Sequence, residues 1–403
     1  MKTGHTPSRS VPEYWEDVTI PWFTLADVWQ LRDGQQVYLG ETTNKISELG
    51  LANSAAELLP ARTVVLSRTA SVGFSGVMPR PMATSQDFWN WVCGPELIPE
   101  YLNYQFKAIA PQLRAFNMGS THQTIYQKDA AGIEILIPPL DVQRAIVRIL
   151  DHESAHIDRL VAEQNKLIEL LGERRRALIS RAATRGIDGA PLSGSENAYP
   201  GMVPRHWTVS RFSREMRVNR GQVDPRDPTW IDMVLVAPNH IEPGTGRIIG
   251  RETAREQGAE SGKYFATKGQ ILYSKIRPAL NKVTIAVEDC LCSADMYAMS
   301  SMKGDDHRFL LYYMLSHPFH EFASMTSLRV KMPKVNREEL GSAPWLRPPL
   351  AEQVRIADYL DKETSRIDHL TNEARGLINL TQERRLALIT EAVTGQVDVQ
   401  GVA

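Results

Sequence analysis

Pro138-Pro139-Leu140-Asp141-Val142-Gln143 opens a stretch that passes through Glu173-Arg174-Arg175-Arg176-Ala177-Leu178-Ile179 and ends at Asp188, and the chain then repeats it. The second copy opens Pro348-Pro349-Leu350-Ala351-Glu352-Gln353, passes through Glu383-Arg384-Arg385-Leu386-Ala387-Leu388-Ile389 and ends at Asp398. Paired positions are offset by 210 residues, 348 minus 138, and roughly half of them are identical. Chance composition does not keep one offset over so long a stretch. The chain is therefore an internal duplication, and its function is expected to be twofold.

Each copy reads as one long helix. Leu150, Ile157, Leu160, Leu167, Leu171 and Leu178 follow steps of three, four and seven, as a coiled-coil seam does. Leu360, Ile367, Leu370, Leu377 and Leu388 take the equivalent seam, with Ala374 and Thr381 as smaller fillers. The proline pairs stand just ahead of the helices, where a missing backbone donor costs little, and Gly186 and Gly395 lie near their ends. From Leu140 to Ala183 a continuous helix spans ~65 Å at ~1.5 Å per residue. A rod with a single apolar stripe needs a partner, and the other copy is the nearest one. The two helices are expected to pair as an antiparallel coiled coil.

The remaining sequence divides into globular regions at 1–137 and 201–347, joined by the polar, turn-rich linker 189–200. The helical segments occupy 138–188 and 348–398, and 399–403 form a tail. Short β-like runs (Arg62 to Leu66, Gln270 to Tyr273) mix with helical pieces (Pro99 to Arg114, His307 to His317) without regular alternation. The fold class is α+β, with an internal pseudo-twofold repeat. Weak likenesses, Val65-Leu66-Ser67-Arg68 with Ile271-Leu272-Tyr273-Ser274-Lys275 and Thr124-Ile125 with Lys334-Val335, extend the duplication to the globular parts. Uniform helices with divergent heads suggest one scaffold presenting two recognition surfaces.

Composition narrows the function. The 403 residues are 42% hydrophobic and 23% charged, ordinary values for a globular chain with room for two or three domains. No targeting segment or apolar membrane span stands out, so the chain reads as cytoplasmic. Cys93, Cys290 and Cys292 cannot build a disulfide framework, and the Cys-x-Cys pair has poor zinc-site spacing, so no metal is expected. A net charge of −1 argues against an indiscriminate polyanion binder. The charge is uneven, however: 201–347 carries about five more Lys and Arg than Asp and Glu, and 1–137 is acidic by about three. No phosphate-binding loop, dinucleotide fingerprint, zinc-protease motif or nucleophile elbow occurs, and neither Pro-Pro pair has the flanking residues of a DNA amino-methyltransferase. His152 and His156 read as solvated residues on a helix. No catalytic residues are assigned.

The Pro-Pro-Leu-x-x-Gln openings, the Ile-Asp-x-Leu at Ile157 to Leu160 and Ile367 to Leu370, and the Glu-Arg-Arg-x-Ala-Leu-Ile ends resemble the spacer helices of the specificity subunit of Type I restriction-modification systems. Gly4-His5-Thr6-Pro7-Ser8-Arg9 with Pro12-Glu13-Tyr14-Trp15, and Ile271 to Pro278, are similar to parts of that family's target recognition domains. The resemblance implies a non-catalytic DNA-reading subunit. Each recognition domain would read one half of a bipartite, asymmetric sequence in double-stranded DNA. The helices would set the spacing and dock two modification (methyltransferase) subunits, to which restriction subunits add. S-adenosylmethionine, ATP and Mg would belong to those partners, and this chain would hold no cofactor. One departure stands out: Pro204-Arg205-His206-Trp207-Thr208-Val209-Ser210-Arg211-Phe212 resembles the family's domain opening ahead of the second domain, with no counterpart ahead of the first. Either the start is truncated or misassigned, or another chain supplies that strand.

Bases are read by side chains at groove edges, and phosphate contacts fix the register. In the first domain the candidates are Ser67, Arg68, Thr69 and Ser71, with Ser120, Thr121, His122, Gln123 and Tyr126. In the second they are Tyr273, Ser274, Lys275, Arg277, Asn281 and Lys282, with Arg329, Lys331 and Lys334 before the helix. Arg174, Arg175, Arg384 and Arg385 suit either intrahelical pairing or partner docking. The competing reading is a coiled-coil scaffold with two protein-binding heads, which leaves the basic excess of the second head unexplained.

Overall fold

The computed structural model describes residues 1–115, 124–194, 201–327 and 333–396. They fall into two compact units, Met1–Lys166 with Ala374–Ala403, and Leu167–Glu373. The boundary cuts both long helices, Leu140–Arg185 and Leu350–Val393, so each unit holds one globular domain and half of each helix. The expected division into separate heads and helices therefore gives way to units whose cores join head to helix. The mixed α+β class holds, and none of the helices is long and apolar enough to cross a membrane among the described residues.

In the first unit the central strand Val64–Ser67 lies between Phe88–Trp91 and Ser75–Val77, both antiparallel to it, and Lys2–Thr3 pairs on the outer side of Phe88–Trp91. In the second unit Ile271–Ser274 is flanked in the same way by Met296–Ser301 and Val283–Ile285, and Met216–Val218 takes the outer edge. Each unit adds a three-stranded sheet, built on Ile20–Phe23 in the first and on Cys290–Cys292 in the second. The cysteines behave as small apolar residues: Cys290 and Cys292 are buried, and burial pushes both thiols up to about 12.

The repeated glutamine explains why Pro-Pro-Leu-x-x-Gln recurs. Gln143 is fully buried, accepts from the Ile98 amide at 2.9 Å and donates to the Glu96 and Pro138 carbonyls at 2.9 and 2.8 Å. Gln353 accepts from the Asp306 amide at 2.9 Å and donates to Asp305 Oδ1 and the Pro348 carbonyl at 2.8 and 3.0 Å. An amide group offers both donors and an acceptor, so one side chain ties helix start to head in each unit. A matching tyrosine adds a second tie: Tyr104 donates to Asp151 at 2.6 Å and Tyr312 to Asp361 at 2.7 Å.

Helix pairing is antiparallel within each unit. In the first, Asp158 pairs with Arg385 while Ile146 and Leu150 share a core with Ile389, Ala392 and Val393. In the second, Arg175 meets Asp368 while Ile179, Ala182 and Ala183 pack with Ile356, Ala357 and Leu360. The seam differs from the expected one. Leu150, Ile157, Leu171, Leu360 and Ile367 are buried and Leu160, Leu178 and Leu388 half-buried, but Leu167, Leu370 and Leu377 are 41%, 47% and 39% exposed. The second residue of each heptad in the seam stands four positions after the first, at Val161, Arg175, Thr364 and Arg385, and not three. Ala374 and Thr381 fill the seam as expected. Both helices end at a glycine with positive φ, Gly186 at 71° and Gly395 at 75°, which a residue with a Cβ adopts only under strain.

Candidate nucleic-acid interface

The central strand of each globular domain is buried on both faces, and the chain reaches the surface just beyond it. Arg68 and Lys275 occupy equivalent positions there. The Arg68 amide donates to the Asp87 carbonyl at 2.8 Å and its carbonyl accepts from Ile125 at 2.8 Å. The Lys275 amide donates to Asp295 at 3.0 Å and its carbonyl accepts from Val335 at 2.8 Å. These bonds bring the segment before each long helix against the strand exit, forming one lip. Two residues further on, Ala70 and Arg277 take left-handed φ angles of 55° and 48°, a costly backbone for non-glycine residues that turns both chains alike.

A cation over an aromatic ring recurs on the lip. Arg68 lies 4.5 Å from the Trp89 ring centroid and Lys275 lies 5.7 Å from that of Tyr297, the ring in each case on the neighbouring strand. Arg337 approaches the same Tyr297 ring at 5.5 Å. Each cation is also tied to a backbone carbonyl, Lys275 to Ala294, Arg68 to Gln86 at 2.7 Å and Arg337 to Asn219 at 2.7 Å, so the ring and the carbonyl together fix its position on the lip. Trp89, Tyr297 and Arg337 escaped the sequence reading because the pairs join positions 21 and 22 residues apart, 89 minus 68 and 297 minus 275, with no local motif.

The structure sorts the remaining candidates. Ser67 is wholly buried, donates to the Ser71 carbonyl and accepts from the Phe74 amide at 3.0 Å. Tyr273 is wholly buried against Phe319, and burial pushes its phenol pKa upward. Ser274 is 2% exposed and donates to the Ile276 carbonyl at 3.0 Å, while Asn281 is 6% exposed in a left-handed turn with φ of 42°. None of these four side chains reaches solvent, so each is corrected from base reader to internal support of the lip. Thr69 donates to Asp87 at 2.5 Å, Ser71 is half-buried, and Lys282 donates to the Pro238 carbonyl at 2.6 Å. Arg277, Lys334 and Tyr126 are exposed on the lips, Tyr126 by 63%. Ser120, Thr121, His122, Gln123, Arg329 and Lys331 lie outside the described residues.

The second lip, with Lys275, Arg277, Lys334 and Arg337, gathers positive charge in the domain that carries the basic excess. Such a surface attracts phosphate. Among the described residues no group of three or more His, Cys, Asp or Glu could hold a metal ion.

Comparison with known proteins gives the arrangement its family. The model of the type I restriction modification DNA specificity domain matches residues 1–170 and 235–378. The specificity subunit of the type I restriction enzyme EcoDI of Escherichia coli is 31% identical over 331 residues, covering 77% of this chain and 73% of that one. That of the MjaVIII enzyme of Methanocaldococcus jannaschii is 22% identical over 313 residues, 75% of this chain and 71% of its own. In fold, a chain from a solved type I R-M system, studied for its assembly and conformational transition, matches with a TM-score of 0.67 at 16% identity, covering 98% of this chain and 96% of that one. The HsdS subunit of Thermoanaerobacter tengcongensis matches with a TM-score of 0.52 at 16% identity, over 98% and 95%. With the duplicated helices, the paired recognition domains and these matches together, the chain belongs to the DNA specificity subunits of type I restriction-modification systems.

Proposed function

We propose that each recognition domain reads one half of a bipartite, asymmetric target in double-stranded DNA, and that the paired helices fix the gap between the halves. One observation carries the reading: the same lip is built twice on the same backbone but with different presented residues. Where the first has Arg68, Thr69, Ala70 and Thr124, the second has Lys275, Ile276, Arg277 and Lys334. A shared scaffold with unlike edges reads unlike sequences. The coiled-coil scaffold with protein-binding heads leaves this chemistry unused.

We further propose that two modification subunits dock on matching leucine pairs. Leu167 and Leu170 are 41% and 49% exposed on the first helix, and their equivalents Leu377 and Leu380 are 39% and 62% exposed on the second. Neighbouring leucines turned out of a seam suit a protein partner, and duplicate pairs suit two copies of it, here modification subunits. In this reading the chain is non-catalytic and acts in the cytoplasm. S-adenosylmethionine serves adenine methylation in those partners, and ATP with Mg serves the restriction subunits.

Coexpression with a modification subunit tests the proposal. The expected result is a complex that methylates adenine at one bipartite sequence, with neither protein active alone. Methylation at a contiguous site, or by the partner unaided, would overturn it.

A further inference from the structure

The buried arginine of each Glu-Arg-Arg motif borders a cavity, and the two cavities differ in what meets it. In the second unit both terminal nitrogens of Arg175 have acceptors. Nη1 donates to Asp368 at 2.8 Å and Nη2 to the Thr245 carbonyl at 3.2 Å, and Arg175, Thr245 and Leu315 line one cavity. In the first unit Arg385 is 6% exposed, yet only its Nη2 is partnered, by Asp158. Its Nε and Nη1 have no acceptor among the described residues. The cavity beside it measures about 160 Å³, several times the ~30 Å³ that a water molecule takes in the liquid.

Three more cations line that cavity. Lys107, three residues after Tyr104, stands where the second unit has Leu315, three residues after Tyr312. Its ammonium donates to the Gly34 and Gln36 carbonyls at 2.9 Å each, which leaves one of its three protons without an acceptor among the described residues. Arg114 lies 4.5 Å from the Phe74 ring centroid and donates from Nε to the Val72 carbonyl at 3.3 Å, so its terminal nitrogens are without an acceptor among the described residues. Arg32 completes the set. The one carboxylate on the wall, Asp33, already accepts from the Gln35 amide at 3.0 Å. Of the other acids close by, Asp158 is taken by Arg385 and Asp151 by Tyr104.

Four cations against one carboxylate, set among apolar side chains such as Leu31, Phe74 and Leu386, draw an anion, because the low dielectric around them strengthens the attraction. We infer that this cavity is a binding site for a phosphate group, whose oxygens accept from Arg385, Lys107 and Arg114 and stand in for the carbonyl that Thr245 gives to Arg175. A phosphate suits three separate donors better than a carboxylate does, since it has more than two oxygens to share among them. The second unit's cavity differs on both counts: protein atoms already satisfy its arginine, and a leucine replaces the lysine. Free inorganic phosphate and the terminal phosphate of a nucleotide share the chemistry that the cavity recognises.

Calorimetric titration of the full chain with inorganic phosphate, and separately with ATP, tests the assignment. Saturable binding is expected, weakened roughly tenfold in Lys107→Met by the loss of one charged hydrogen bond, and by a smaller factor in Arg114→Gln. Thermal unfolding checks that both variants fold. Lys334→Ala, which removes a cation of the second lip, should leave the binding unchanged. Tighter binding of ATP than of phosphate would identify a nucleotide as the source, and weaker binding the free anion. No saturable binding of either ligand at roughly 10 mM, or binding that survives Lys107→Met or is lost in Lys334→Ala, would overturn the assignment. The titration contains no DNA, so its outcome is independent of the DNA-reading proposal.

Discussion

Arg175 donates to the Asp368 carboxylate at 2.8 Å across the helix pair, and their counterparts in the other copy, each offset by 210 residues in the chain, repeat the contact as Arg385 with Asp158. Arg175 also reaches the Thr364 and Thr245 carbonyls at 3.4 and 3.2 Å, so one guanidinium ties both helices to the head. These buried arginines are the second arginine of each Glu-Arg-Arg motif, whose first arginines, Arg174 and Arg384, point into solvent. Arg175→Ala or Arg385→Ala should destabilise its own unit by roughly 2 to 3 kcal/mol, since a charged hydrogen-bond partner is left half-buried. Urea unfolding checks this. Arg174→Ala and Arg384→Ala should change stability by under about 0.5 kcal/mol.

The exposed cations of the second lip should govern DNA affinity. Arg277→Asn, chosen because asparagine tolerates the left-handed backbone, and Lys334→Ala should each weaken binding of the assembled methyltransferase. Each should reduce the salt slope of binding by about 1 if the contact is to phosphate. Gel shifts over a salt series supply both numbers. Tyr273→Phe, by contrast, should leave binding intact, because that ring is wholly buried.

That contrast shows where the sequence was legible. The duplication, the helix limits, the proline starts and the glycine ends all follow from local chemistry, and the structure repeats them. The facing of the central strands does not: Val64–Ser67 and Ile271–Ser274 are buried on both faces, so no polar alternation marks which side chain emerges. Ser67 and Tyr273 consequently look as presentable as Arg68 and Lys275. The helix seam failed for a related reason. Leu160, Leu167, Leu370 and Leu377 are the same residue type as the seam leucines, and only the partner helix decides that the four-step positions turn inward.

Those outward leucines carry their own prediction. Leu167→Ser with Leu170→Ser should remove one modification subunit from the complex, and Leu377→Ser with Leu380→Ser the other. Native mass spectrometry should show one partner lost for either pair and none bound for both, with thermal stability nearly unchanged.

Lys107 provides a pH signature. Burial, aided by the nearby Arg385 charge, lowers its pKa to about 8, although its ammonium donates to the Gly34 and Gln36 carbonyls at 2.9 Å each. A lysine whose folded pKa lies below its unfolded value near 10.5 is penalised while protonated. Stability is therefore depressed below about 8 and recovers as pH rises from about 8 toward 10.5, by roughly 1 kcal/mol per pH unit. Lys107→Met should lack that rise, so the stability advantage of the variant over the parent should shrink between pH 8 and 10. A constant difference across that range would contradict the assignment.

The central claim is that the paired helices hold two unlike readers at a fixed separation, and the methylome of cells coexpressing a modification subunit tests it most directly. One heptad inserted after Lys166 and after Gly376, the common midpoint of the Asp158–Arg385 and Arg175–Asp368 pairings, keeps the seam in register and lengthens each helix by about 10 Å, close to three base pairs of DNA. The expected methylation motif keeps both half-sites and widens its non-specific gap by about three base pairs. An unchanged gap with full activity would contradict the account.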